Sequence, residues 1–342
     1  MKMDIINTLN LKFLEENLVN LEKYLKKVLT TDSPFMDEIA THLLNAGGKR
    51  LRPTLTLACG TCQPAGSDPN SANMPSEVVL AGAAAVELIH LGSLYHDDVM
   101  DEALSRRGIQ SVNSRWGNLS AIIAGDMLLA KSAELGASLG SDISALLAVT
   151  LGELCKGQME EVRLAHQTTR SYENYFKAIS GKTAYLMGTA CRIGALLAKM
   201  SRDQVETVTN YGHNFGIAFQ IKDDVMDIIG TEAELGKRPG QDLAEGVYTL
   251  PVLFGLKDKE IGAELGSLLG KPLDQLADQE GIDKIRALIT SSPAIKDSVI
   301  QGLHYVKLAG QAGEKIQIPE LRDALISLAD ALMQDLPKQY LS

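Results

Sequence analysis

A chain of 342 residues with 45% hydrophobic and 22% charged content has ordinary globular composition and is long enough to bury a sizeable core, in one large domain or two smaller ones. Its formal net charge of −10 argues against nucleic acid as the main partner, because neutralising a phosphate backbone needs clustered Lys and Arg in excess. Four cysteines, Cys59, Cys62, Cys155 and Cys191, are too few for a disulfide scaffold of this size and suit a reducing compartment.

The N-terminal stretch MKMDIINTLNLKFLEENL carries acidic and polar residues where a signal peptide needs an unbroken apolar run, so a cytosolic protein is expected. Cys59 and Cys62 form a CxxC, but no second Cys or His pair stands at zinc spacing and no βαβ pattern surrounds it. Residues 63–75 are rich in Pro, Gly, Ser and Asn and read as a surface connection. From residue 74 the segment MPSEVVLAGAAAVELIHLGSLYHDDV places Val79, Ala83, Val86, Ile89 and Leu94 at helical spacing, which predicts a long, largely buried helix ending in acid. Glu87 and His90 interrupt its apolar run, so no transmembrane helix is expected. Further helices are predicted over 119–139, 142–166, 171–200, 204–229, 295–309 and 319–334, and no alternating β-branched run suggests a sheet. The class is all-α. Residues 230–246, with repeated Gly and a Pro, read as a loop that could cover a site.

The pentapeptide DDVMD occurs at 97–101 and again at 223–227. On a helix Asp97 and Asp101 share a face, as do Asp223 and Asp227; Gln220 extends the second face backwards, and His90 lies two turns before Asp97. Like charges at this spacing destabilise a helix unless a cation lies between them, and carboxylates are the hard ligands that Mg²⁺ takes. A single acidic run is usually a solvated helix end. Two identical copies, each embedded in apolar sequence, point instead to two faces of one metal and phosphate site. Lys49, Arg50 and Arg52 in GGKRLRP (47–53) and Arg106 and Arg107 in RRG (106–108) offer cations on flexible backbone, suited to a diphosphate. GKT at 181–183 is no P-loop, since Phe176 stands where the first Gly is required and no strand precedes it. Lys182 reads as an ammonium at a helix start.

Taken in order, GGKRLRP, ELIHLGSLYHDDVMD with RRG, GDMLLA (125–130), GKTA, FQIKDDVMD and GKRPGQDLAEGVYTLP resemble the motifs of the trans-isoprenyl diphosphate synthases, over roughly 42–255. The resemblance implies one all-α domain over residues 1–342, an isoprenoid synthase fold around a deep cavity. It also implies Mg²⁺-dependent, head-to-tail transfer of an allylic diphosphate onto isopentenyl diphosphate, with three ions per site, in a homodimer. By the same resemblance Asp97, Asp101 and Asp223 are metal ligands with Asp98, Asp227 and Asp242 supporting. Arg106, Lys182 and Lys237 match allylic diphosphate positions, while Lys49, Arg52, His90 and Arg107 match isopentenyl diphosphate positions. Lys182, Thr183 and Gln220 match catalytic positions, the last two lining the developing cation. One departure is Val247, where many members carry a lysine.

Short-chain members commonly place aromatic residues four or five positions before the first Asp; here these are Ser93 and Gly92. An open floor implies a long all-trans product, with Tyr95 turned off the tunnel face and peripheral membrane contact serving product release. Geranylgeranyl or farnesyl diphosphate synthesis is the alternative product length. A terpene cyclase would show an Asn, Ser and Glu pattern at the second motif, and a non-catalytic partner subunit would lack an acidic or basic motif.

Overall fold

The computed structural model describes residues 4–62, 76–235, 238–270 and 279–341. Six helices lead to the first acidic motif: α1 (Ile5–Leu9), α2 (Leu14–Leu29), α3 (Pro34–Ala40), α4 (His42–Asn45), α5 (Leu51–Thr61) and α6 (Glu77–Met100). A hairpin of two-residue strands follows, β1 (Ser105–Arg106) antiparallel to β2 (Ile109–Gln110). Then come α7 (Val112–Trp116), α8 (Asn118–Ser138), α9 (Ser141–Arg163), α10 (Tyr172–Ile179), α11 (Tyr185–Leu197) and α12 (Arg202–Ile229). Two short helices, α13 (Glu232–Leu235) and α14 (Gln241–Ala244), precede α15 (Leu250–Lys257), α16 (Gly262–Leu269), α17 (Gln279–Thr290), α18 (Ala294–Gly313) and α19 (Pro319–Ala331). The segment at 63–75 and Lys237 lie outside the described residues.

The all-α expectation holds apart from the hairpin, which turns at Arg107 and Gly108, both at positive φ (55° and 78°). It brings two arginines back beside the end of α6. The stretch expected as one helix over 171–200 is instead two helices joined by a π turn at Ser180–Ala184. Lys182 therefore sits inside a helical run rather than at its start.

Two long helices carry the acidic motifs through the middle of the bundle. α6 is apolar on nearly all sides, and Ala81, Ala83, Ala84 and Ala85 are buried where α5, α8 and α11 close on it. It is long and apolar enough to cross a membrane, but 72% of its most apolar window is buried inside the bundle, so packing accounts for its composition. α12 starts at Ser201, whose side chain accepts the Gln204 N–H, and buries Tyr211, Phe215, Ile221 and Val225 against α11 and α18. Near its acidic end Lys222 Nζ donates to the Leu332 carbonyl at 2.6 Å and pairs with Asp335 at 2.5 Å, tying the C-terminal segment to α12. One hydrophobic core extends from Ile5 to Leu336.

Arg50 adopts the left-handed region (φ 47°) ahead of α5 and fills its fork internally. Nε meets Glu22 of α2 at 2.5 Å, Nη1 meets Glu87 of α6 at 2.9 Å, and Nη2 donates to the Leu44 carbonyl at 2.8 Å. Of the three cations in GGKRLRP, this one is structural. Without Glu87, Arg50 would keep Glu22 and its carbonyl acceptors and lose one charged hydrogen bond. Glu87→Ala should therefore destabilise the fold by about 1.5–3 kcal/mol, read as a lower urea midpoint at unchanged m-value; a midpoint within experimental error of the parent would refute this role.

Candidate active site

Between α6, α8, α9, the π turn and α12 lies a cavity of about 1050 Å³, large for a small-molecule pocket. It joins a polar mouth that reaches α13 and α14; Asp97, Arg106, Arg107, Lys182, Thr183 and Gln220 line both. Acids and cations thus ring the opening of an apolar shaft.

On the first wall, Asp97 and Asp101 face the mouth. Burial raises both carboxyls above their usual range, and Lys182 and Arg106 oppose the shift. Asp98, one residue round the helix, is turned away and fully buried, where it accepts from Arg106 Nε. Its visible task is to aim Arg106, not to face the cavity.

On the second wall, Asp223 lines the shaft and Asp224 the mouth. A hydrogen-bond chain runs across this wall: Thr183 Oγ1 donates to Gln220 Oε1 (2.7 Å), Gln220 Nε2 to Asp224 Oδ1 (2.8 Å), and Tyr175 Oη to Asp224 Oδ2 (2.6 Å). Burial pushes the Asp224 carboxyl up to about 7 and the Tyr175 phenol well above its usual value. Asp227 is buried and accepts the backbone N–H groups of Gln241 (3.3 Å) and Asp242 (3.2 Å), while its carbonyl takes the Gly240 N–H at 2.8 Å. It fixes the start of α14, and so Asp242 at the mouth, rather than facing the cavity itself.

The π turn is wedged against α9 at Gly157, where a Cβ would stand 2.4 Å from the Lys182 backbone nitrogen. A side chain there would push the turn out of the site. Lys182 Nζ donates to Glu161 Oε1 at 2.5 Å. Burial alone would lower its ammonium, but Glu161, Asp97 and Asp101 hold it above the usual lysine value.

The remaining cations gather on the α5 side. Arg52 Nη1 lies 3.2 Å from His90 Nε2, and Arg52 Nε is buried without a partner. Burial lowers both groups, and nearby arginines add to this: Arg107 beside Arg52, and Arg52 and Arg107 beside His90. Arg107 donates to the Leu43 carbonyl at 2.9 Å and to that of Gly47, and its guanidinium covers Gly48, where a Cβ would meet it at 2.9 Å. Lys49 Nζ stands 5.7 Å from the Phe219 ring centroid. Cations that crowd and depress one another, with an unpaired buried donor, make a cradle for an anion.

The two floor positions part company. Ser93 lines the shaft with His90 and Leu94. Gly92 is turned into the contact with α8, where a Cβ would lie 3.0 Å from Leu129 Cδ2 and 3.1 Å from the Gly125 carbonyl. It sets the distance between α6 and α8, beside Leu129, which lines the shaft. Tyr95 is fully buried with its hydroxyl donating to the Ile39 carbonyl at 2.7 Å, off the shaft as expected. Cys59 and Cys62 are buried, and burial helps raise both thiols, Cys59 first through its hydrogen bond to Cys191.

Sequence reasoning passed over Glu161, Asp224 and Tyr175. Glu161 stands in GQMEEVR near the end of α9, and only the packing of α9 on the π turn brings Lys182 to it. Asp224 lay within a quoted motif but off its chosen face.

Among the described residues no three His, Cys, Asp or Glu side chains are close enough to form a ready metal cage. The acids stand on opposite walls, as suits Mg²⁺, which is commonly held by one or two carboxylates with substrate phosphates completing its shell.

The chain as a whole is similar to known proteins. A nonaprenyl diphosphate synthase of Mycobacterium tuberculosis is 38% identical over 320 residues, 92% of this chain and 90% of that protein. The polyprenyl synthase of Caulobacter crescentus, solved with calcium and isoprenyl diphosphate, superposes with a TM-score of 0.88 at 29% identity, covering 98% of this chain and 100% of the other. A geranylgeranyl pyrophosphate synthase of Corynebacterium glutamicum, also solved with calcium and isoprenyl diphosphate, gives 0.78 at 35% identity over 94% and 95%. The fold is that of an isoprenoid synthase, and the chain is a prenyltransferase. The model of the polyprenyl synthetase family matches residues 33–286, and the chain belongs to that family.

Proposed function

We propose that the protein condenses an allylic diphosphate with isopentenyl diphosphate, head to tail, and repeats the step to make a long all-trans polyprenyl diphosphate. The observation that carries this is the opposition of the α6 and α12 acids, with cations between them, at the mouth of an apolar shaft that Ser93 leaves open.

In this reading Arg106, Lys182 and Lys237 hold the allylic diphosphate, and Lys49, Arg52, His90 and Arg107 hold isopentenyl diphosphate. Asp97, Asp101 and Asp223 would hold Mg²⁺, three ions in this reading, which when bound would supply Lewis acidity to offset the charge of a leaving diphosphate. Asp98, Asp227 and Asp242 act behind that set: Asp98 through Arg106, and Asp227 through the start of α14. As the allylic C–O bond breaks, Thr183 and Gln220 present oxygen dipoles to the cation, their orientation fixed by Asp224 and Tyr175. The isopentenyl double bond attacks, and the proton lost goes to the released diphosphate. Leu94, Leu129, Leu151 and Leu154 keep water from the cation.

The long-chain reading is supported by the nonaprenyl relative and by the size of the shaft. One domain, a cytosolic homodimer and peripheral membrane contact for product release complete the proposal. The test is direct: purified protein with Mg²⁺, isopentenyl diphosphate and farnesyl diphosphate should give a product ladder ending well beyond geranylgeranyl. Termination at geranylgeranyl would place the floor elsewhere, and no elongation of any allylic primer would leave a non-catalytic partner subunit.

A further inference from the structure

The loop between α9 and α10 grips the strip after α14 on both sides of Val247. The His166 N–H donates to the Gly246 carbonyl at 2.8 Å, and Arg170 Nη1 donates to the Tyr248 carbonyl at 3.1 Å. Arg170 is thereby fixed in the wall of the polar mouth, next to a residue that brings no charge. It is 5% exposed, and its guanidinium carbon stands 5.7 Å from the ring centroid of Tyr175, the residue bonded to Asp224.

A buried guanidinium ordinarily has its fork filled, as that of Arg50 is by two carboxylates and two carbonyls. Arg170 makes one hydrogen bond among the described residues, its Nε is buried without a partner, and no carboxylate there pairs with it. An always-charged group is thus built into the mouth with most of its donors unused, facing the same space as Lys182 and Arg106. A packing role alone would not call for it, since Tyr248 needs only one donor and Tyr175 only an apolar neighbour.

We propose that Arg170 is a diphosphate-binding residue, supplying the mouth with the positive charge that Val247 does not. The proposal rests on the prenyl-transfer reading for its substrate, but the anion alone suffices to test it. Calorimetric titration with inorganic diphosphate and Mg²⁺ should show Arg170→Gln binding about tenfold more weakly than the parent, the scale of a lost charged hydrogen bond. In assays the KM for farnesyl diphosphate should rise by a similar factor with kcat nearly unchanged. Adding Val247→Lys to Arg170→Gln should restore most of the affinity. Affinity for diphosphate unchanged in Arg170→Gln would overturn the proposal. Val247→Lys in the otherwise unaltered chain needs no folded Arg170 variant: it should gain less than threefold, and a gain of tenfold would mean that the position had no cation serving it. If the parent protein binds diphosphate but does not extend farnesyl diphosphate, the reaction reading fails while the Arg170 titration still decides this one.

Discussion

Asp97→Ala and Asp223→Ala are each expected to lower prenyl transfer on the order of 10²–10³-fold, the usual effect of removing one strong electrostatic contributor to a transition state, while the fold survives. Asp97 lies near Asp101 and Glu161, like charges that oppose one another. Lys182 keeps Glu161 as a partner in its absence. Asp97→Ala should therefore have no lower thermal midpoint than the parent without ligand. The parent should gain stability from Mg²⁺ with inorganic diphosphate by mass action, and both variants should lose most of that gain. Near-normal turnover in either one would mean that the two walls do not share one leaving group.

The second large effect is on product length. Ser93→Phe should shift the products from long chains to geranylgeranyl length or shorter, because the ring would project into the shaft one turn below Asp97. The same substitution at Gly92 should do something different. A side chain there meets Leu129 and the Gly125 carbonyl closer than ordinary contact, so Gly92→Phe should part α6 from α8 and lower stability by about 1–3 kcal/mol or more, as overpacking does. Product chromatography beside urea denaturation separates the two outcomes. A long-chain ladder from Ser93→Phe would show that growth is stopped deeper in the shaft.

The acids were legible because charge inside an apolar helix conflicts with burial, and the conflict occurs twice in identical form. α6 and α12 were legible for the same reason that they are central: their periodicity is long and uninterrupted. α2 carries Leu14, Leu18, Leu21, Leu25 and Leu29 at helical spacing and could have been read as well. What the sequence hides is direction. Asp97 and Asp98 are adjacent letters, yet one faces the mouth and the other holds an arginine behind it. Gly92 and Ser93 differ in the same way. Glu161 is a surface-like residue until Lys182 arrives from another helix, and Tyr175 becomes part of the site only through Asp224. Pairing of this kind depends on tertiary contact, which no local pattern encodes.

The π turn at Ser180–Ala184 can be regarded as a matter of phase. Each α-helical residue rotates the chain by about 100°, and a π turn holds one residue more than an α turn would. Deleting one residue between 180 and 184 would leave a regular helix, the very one that the local pattern suggests, while swinging either the Lys182 side or the α11 side about a quarter-turn out of register. One residue more in this turn thus decides the geometry of the site: helix continuity and lysine placement are alternatives, and this chain has the lysine.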